Sequence, residues 1–136
     1  MKSNHFCFLI VASVGLFIGC GPSGPETYTA SGEVTFDGEP VTEGEIIFRA
    51  ADGASGSWEA RIENGSYKLE TTPGAKRVEI TARRKVEGTA TADSGEPALS
   101  FQAYIPDKYN EKTELTANVT ADGTNEFDFP LTSVSE

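Results

Sequence analysis

The sequence predicts an all-β domain, a seven-stranded antiparallel β-sandwich, and three observations carry that prediction. Apolar residues recur with a period of two in seven short segments, turn-forming residues separate the segments, and no 3.6-residue apolar pattern lasts long enough to make a helix. Successive side chains of a strand point to opposite faces, so this pattern describes sheets that bury one side and wet the other. Two sheets stacked face to face bury all seven apolar faces together.

In the first segment Tyr28, Ala30, Gly32, Val34 and Phe36 alternate against Thr29, Ser31, Glu33 and Thr35. Asp37-Gly38-Glu39-Pro40 stops it, glycine supplying permissive dihedrals and proline fixing its own. Ile46 and Phe48 mark the second strand, with Ile47 on its opposite face. Trp58, Ala60 and Ile62 mark the third and Tyr67 and Leu69 the fourth, and Asn64-Gly65 between them is a strong two-residue hairpin signal. Trp58 shares its parity with Ala60 and Ile62, which assigns it to core packing rather than to an exposed sugar-stacking platform with Tyr28. After the turn at Thr72-Pro73-Gly74, Val78, Ile80 and Ala82 alternate against Glu79, Thr81 and Arg83. Leu115, Ala117 and Val119 make the sixth strand, and Asp122-Gly123 turns the chain into the seventh, with Phe127, Phe129 and Leu131. Pro130 requires that last strand to lie at a sheet edge or the ladder to end there.

Residues 86–110 interrupt the regularity. Between 87 and 98 the chain lacks bulky apolar side chains, which predicts a mobile loop, and the aromatic, proline-marked residues 101–110 follow. Tyr104, Ile105, Tyr109 and Asn110 form the candidate binding surface. The favoured role for Ile105 and the tyrosines is to fold back over the open end of the sandwich and plug its core, and they serve as the binding surface if they are exposed instead.

At the N-terminus, Lys2 precedes an apolar run of about 13 residues that ends at Gly19-Cys20. That is short of the roughly 20 residues a membrane-spanning helix needs, and a charged start with a small residue at the break fits a cleaved export signal. The run resembles the bacterial lipoprotein signal. The resemblance implies cleavage before Cys20, diacylglycerol on that cysteine, and anchorage of the exported chain to a membrane of the bacterial cell envelope. Residues 1–19 are then the signal peptide, 20–26 the lipidated cysteine with a Gly/Pro/Ser-rich flexible tether, 27–132 the sandwich and 133–136 a tail.

Removing 19 of 136 residues leaves 117, enough for one domain with its own core. It also removes His5, Met1 and Cys7, the only histidine, the only methionine and one of two cysteines. No Ser-His-Asp triad, Cys-His nucleophile, His/Cys zinc site or disulfide can be built from what remains, so no catalytic residue, metal or cofactor is expected. Carboxylate pairs such as Glu43 with Glu45, or Glu33 with Asp37, read as solubilising charge, and no calcium-loop spacing is present. A lysine-asparagine crosslink would have to draw on Lys68 or Lys76 with Asn118 or Asn125. All 21 acidic residues stay, against 10 basic ones once Lys2 is gone, a formal charge of −11. Such a chain is no partner for nucleic acid. The basic run Arg83-Arg84-Lys85 reads as a solvated strand end.

Residues 32–41 (Gly-Glu-Val-Thr-Phe-Asp-Gly-Glu-Pro-Val), Gly44-Glu-Ile-Ile-Phe48, Asn64-Gly65-Ser-Tyr67, Pro73-Gly74 with Val78-Glu-Ile-Thr81, and Tyr104-Ile-Pro-Asp-Lys-Tyr-Asn110 together resemble small bacterial lipoproteins of the carboxypeptidase regulatory-like type. The resemblance covers nearly all of the chain after Cys20. It implies a transthyretin-like accessory fold without catalytic residues, in which the peptidase active site belongs to a separate module. Two functions are compatible with it: a non-catalytic structural or protein-interaction module on the envelope, or a small-ligand or glycan binder using residues 86–110.

Overall fold

A computed structural model of the protein describes residues 24–51, 53, 55–91 and 97–134. The sequence-predicted signal peptide and its anchor residue Cys20 lie outside these. The described chain forms nine strands: β1 (Tyr28–Phe36), β2 (Glu39–Pro40), β3 (Glu43–Ala50), β4 (Ser57–Glu63), β5 (Ser66–Thr71), β6 (Gly74–Thr91), β7 (Pro97–Ala103), β8 (Thr116–Val119) and β9 (Phe129–Leu131), with one 3-10 turn at Asp107–Tyr109. They make a single curled sheet in the order β2-β1-β5-β4-β3-β6-β7, with β8 added to β6 and β9 to β1.

The curl has a local cause. Asn64 and Gly65 hold φ of 51° and 83°, the two left-handed positions of a type I′ hairpin turn. Beyond that turn β4 and β5 stay in register only at Glu63↔Ser66. Strand β5 then pairs with β1, while β4 pairs along its length with β3. The inward faces of the two ladders meet across the core, where the Phe48 ring lies 6.1 Å from Tyr67 and 6.5 Å from Phe129.

Alternation predicts the inward residues correctly. Ala30, Val34, Ile46, Phe48, Ile62, Tyr67, Leu69, Val78, Ile80, Ala82, Ala117, Val119, Phe129 and Leu131 are all buried. At roughly 1.5 to 3 kcal/mol for each large side chain fully removed from water, this face is the main favourable contribution to folding. Trp58 packs half-buried against it, as its parity predicts.

Three expectations need correction. The strands are not all antiparallel, because β9 runs parallel to β1. The chain leaves β8 and crosses to the other ladder rather than turning back on itself, entering beside β1 through Ser31 N–H to Asn125 O (2.9 Å) and Phe127 N–H to Ser31 O (2.9 Å). The Phe127 backbone passes so close that a Cβ on Gly32 would run into its carbonyl. Glu39-Pro40 is not only a turn but a short strand against β1, in the register Thr35↔Pro40 and Phe36↔Glu39. Finally, residues 86–91 and 97–103 are strand rather than loop: β6 runs on to Thr91 and β7 pairs with it from Arg83↔Ala103 to Thr91↔Pro97. Alternation reports burial on one face, and Arg83, Arg84, Lys85 and residues 100–103 are exposed on both.

Pro130 sits on β9, whose one neighbour among the described residues is β1, so its missing N–H interrupts no second ladder there. Lys76 is an inward residue that alternation alone does not explain, with 2% of its surface exposed. Its ammonium donates to Thr72 Oγ1 (3.2 Å) and Pro73 O (3.3 Å) and lies 4.5 Å from the Trp58 ring centre.

Candidate functional site

Strand β6 has two different halves, and a site forms where they join. From Gly74 to Ala82 it is flanked by β3, with β8 on its other side at the start. The β3 ladder ends at Gly44↔Ala82, because the chain before Glu43 turns inward and buries Val41. From Arg83 onward β6 has β7 alone for a neighbour among the described residues. An open groove of about 520 Å³ occupies the place where β3 would have continued.

One wall of the groove is the run Arg83-Arg84-Lys85, and the other is the β1–β2 turn with Asp37 and Glu39, joined by Glu43 at the start of β3. The type I′ turn that presents this second wall is built on Asp37 and Gly38, with φ of 51° and 85°. Asp37 is also tied down, its carboxylate accepting from Ser133 N–H (2.8 Å) and Ser133 Oγ (3.2 Å). Phe36 and Tyr104 supply aromatic surface, edge to face at 5.5 Å. The Arg84 guanidinium stands 5.7 Å from the Tyr104 ring centre. Burial pushes the Tyr104 hydroxyl above its ordinary pKa, with the Arg84 charge opposing the rise. Ion pairs among the described residues join Arg49 and Arg77 to Glu79, at 2.9 and 2.6 Å. Arg83, Arg84 and Lys85 take part in neither, although carboxylates line the facing wall. Their charge is available to a ligand.

The four residues predicted as one binding surface separate. Tyr104 lines the groove. Ile105 belongs to the core, 6% exposed. Tyr109 is fixed at the far end of the 3-10 turn, accepting from Thr132 N–H (3.0 Å) with Thr132 Oγ1 at 3.3 Å. Burial tends to raise its pKa, but the Thr132 bonds and the Lys108 charge outweigh that and hold it below the ordinary tyrosine value. The Asn110 side-chain amide donates to Ile105 O (3.5 Å) and Pro106 O (3.3 Å), and its carbonyl accepts from Glu111 N–H (2.6 Å). Asn110 therefore closes a turn instead of facing a ligand. The whole segment fills the edge of β6 between β7 and β8, where Thr113 Oγ1 donates to Val78 O (2.7 Å) and accepts from Leu115 N–H (3.1 Å), and Val78 N–H donates to Leu115 O (2.8 Å).

The other weighed chemistry is not assembled. Asn118 stands opposite Ala75 and Lys76 opposite Ala117, so Lys76 and Asn118 point to opposite faces. Lys68 is exposed, and both ends of the Asn125 amide are bonded to the Thr120 backbone (2.8 and 2.9 Å). Glu43 and Glu45 lie exposed on the outer face of β3. No group of three His, Cys, Asp or Glu side chains placed to share a metal ion occurs among the described residues.

Sequence reasoning missed the groove because its walls lie 40 or more residues apart. The signal was present in Arg83-Arg84-Lys85, the one dense basic run of an acidic chain.

No family model and no curated protein matches the chain. Among solved structures, a 9R-lipoxygenase from Cyanothece PCC8801 aligns over 78% of this chain and 16% of its own, at 13% identity and a TM-score of 0.37. The chain thus spans about one sixth of that protein's length, and a likeness this weak carries no argument about fold or activity.

Proposed function

We propose that the chain is an exported envelope lipoprotein, anchored to a membrane through Cys20, whose folded part is a non-catalytic protein-interaction module. Its architecture is read as a β-sandwich of the carboxypeptidase regulatory-like type, one layer holding β5, β1 and β9 and the other β4, β3, β6 and β8. The observation that carries the interaction role is the groove, where three cations without carboxylate partners stand beside two aromatic rings at an interrupted ladder. Unpaired cations at the exposed edge of an otherwise acidic molecule favour a partner that presents carboxylates, and rim charges of this kind steer association.

The glycan reading draws on the same Tyr104. Sugar stacking needs an open ring face, whereas Arg84 stands over one side of Tyr104 and Phe36 packs against the ring in a T-shaped pair. The protein-partner reading is therefore preferred.

Titration calorimetry with an extended glutamate-rich peptide tests it: binding should weaken with salt and disappear in Arg83→Glu/Lys85→Glu with the melting temperature unchanged. Equal affinity for a lysine-rich peptide would refute the reading. Anchorage is tested separately by intact mass, where the wild type should carry acyl chains and Cys20→Ser should not.

A further inference from the structure

We propose that the groove takes its partner as an added strand: an extended peptide of the pattern apolar-acid-apolar pairs antiparallel with β6 where β3 leaves off, its carboxylate opposite Lys85. Resting on the carboxylate-bearing partner proposed above, this mode of binding adds a backbone register and a side-chain pattern. Val78 N–H donates to Leu115 O (2.8 Å), Val78 O accepts from Thr113 Oγ1 (2.7 Å) and Ala82 O accepts from Tyr104 N–H (3.3 Å). Even-numbered residues of β6 thus turn their backbone groups away from β3. Hydrogen-bonding direction alternates along an antiparallel strand, so odd-numbered residues turn theirs toward β3. The β3 ladder stops at Gly44↔Ala82, and the N–H and C=O of Lys85 therefore face the gap of about 520 Å³.

The two faces of such a strand meet different surroundings. Val78, Ile80 and Ala82 point into the core, so Arg84 and Val86 share that inner face. There the Arg84 guanidinium stands 5.7 Å from the Tyr104 ring centre, and Phe36 packs on the same ring. The β1–β2 turn, with Asp37 and Glu39, closes the groove from the opposing ladder. Partner residues opposite Arg84 and Val86 are therefore apolar: they cover aromatic surface, and a carboxylate there would meet Asp37 and Glu39. Arg83 and Lys85 lie on the outer face. Continuing the β3 register one step places Glu43 across from Arg83, and nothing of β3 stands across from Lys85. An acid opposite Lys85 repeats the arrangement one pair further on, and opposite charges across a ladder stabilise it.

Cations on a bare edge normally guard it against stray strands. A neutral strand laid beside Lys85 leaves the ammonium without a counter-charge, and a basic one repels it. A strand with one carboxylate in register meets neither penalty, so the feature that guards the edge also selects its occupant. Main-chain bonds then supply affinity and the alternate side chains specificity, as in strand addition generally.

The test is titration calorimetry of the full chain in detergent with the peptide Ser-Thr-Val-Glu-Val-Thr-Ser, blocked at both ends. In the expected register the peptide glutamate pairs with Lys85, its N–H donating to Lys85 O. N-methylation of that glutamate should weaken binding about tenfold. N-methylation of the valine after it, whose N–H points away from β6, should change binding by less than about twofold. Lys85→Glu should abolish binding, and a peptide with lysine in place of the glutamate should restore it, with melting curves checking that the variant folds. Undiminished binding by Lys85→Glu, or equal losses from the two N-methylations, would overturn strand addition. So would failure of this peptide while a glutamate-rich one binds, an outcome that leaves the carboxylate-partner reading standing. If neither peptide binds, both fall.

Discussion

The two halves of β6 share one strand and differ in nearly everything else. Val78, Ile80 and Ala82 face a closed core, with β3 along one edge and the 104–115 segment along the other. Arg83, Arg84 and Lys85 are exposed, with β7 on one side and a groove on the other. The backbone is extended throughout, so strand formation itself does not separate the halves. What separates them is whether a second ladder covers the inner face. The covered half supports the fold, and the uncovered half leaves cations, a groove and a bare edge for interaction.

The largest expected effect lies in the covered half. Ile80→Ala should cost about 2 to 5 kcal/mol in chemical denaturation, because Ile80 is fully buried and the surrounding core relaxes only partially into the void. Lys85→Ala, five residues along the same strand, should change stability by less than about 0.5 kcal/mol. Similar costs at the two positions would break the comparison.

A smaller effect should come from the segment that stands in for a strand. Thr113→Val removes the donor to Val78 O and should cost about 1 to 3 kcal/mol, since the carbonyl is left buried and unpaired. An effect near zero would mean that water replaces the hydroxyl and that this edge of β6 is more open than the covered half requires.

The pH dependence sharpens the same contrast. Burial, reinforced by the nearby Asp128 charge, raises the Tyr67 pKa well above 10.0, and its hydroxyl donates to Phe127 O at 2.8 Å. Folding therefore favours the neutral phenol. The stability this gives is complete below pH 10 and falls as pH rises beyond it, and Tyr67→Phe should flatten that alkaline limb. Glu79 has the opposite sign. Burial tends to raise its pKa, but hydrogen bonds from Arg77 and Arg49 hold it below 4.5. Its contribution is present above that value and lost as pH falls beneath it, so Glu79→Gln should flatten the acid limb slightly. Ribbon residues should leave both limbs unchanged. The smallest measurable difference is in hydrogen exchange, where amides of residues 101 and 103 should exchange faster than those of 78 and 80.

Seven segments, their inward residues, the Asn64-Gly65 hairpin and the edge position of Pro130 were legible from the sequence, because alternation and turn chemistry act between residues close in the chain. The length of β6, the strand character of residues 97–103 and the parallel placement of β9 were not. Each depends on which distant segment supplies a neighbour, and residues 83–85 and 100–103, exposed on both faces, leave no periodic trace. The candidate residues divided for the same reason. Tyr104, Ile105, Tyr109 and Asn110 are adjacent in sequence, yet one lines a groove, one enters the core and two fix a turn. Composition alone set the acidic charge and the lack of histidine after residue 19. Only the tertiary structure brought Arg83-Arg84-Lys85 opposite Asp37, Glu39 and Glu43, because β3 stops where β6 continues and the gap between them is a property of neither segment by itself.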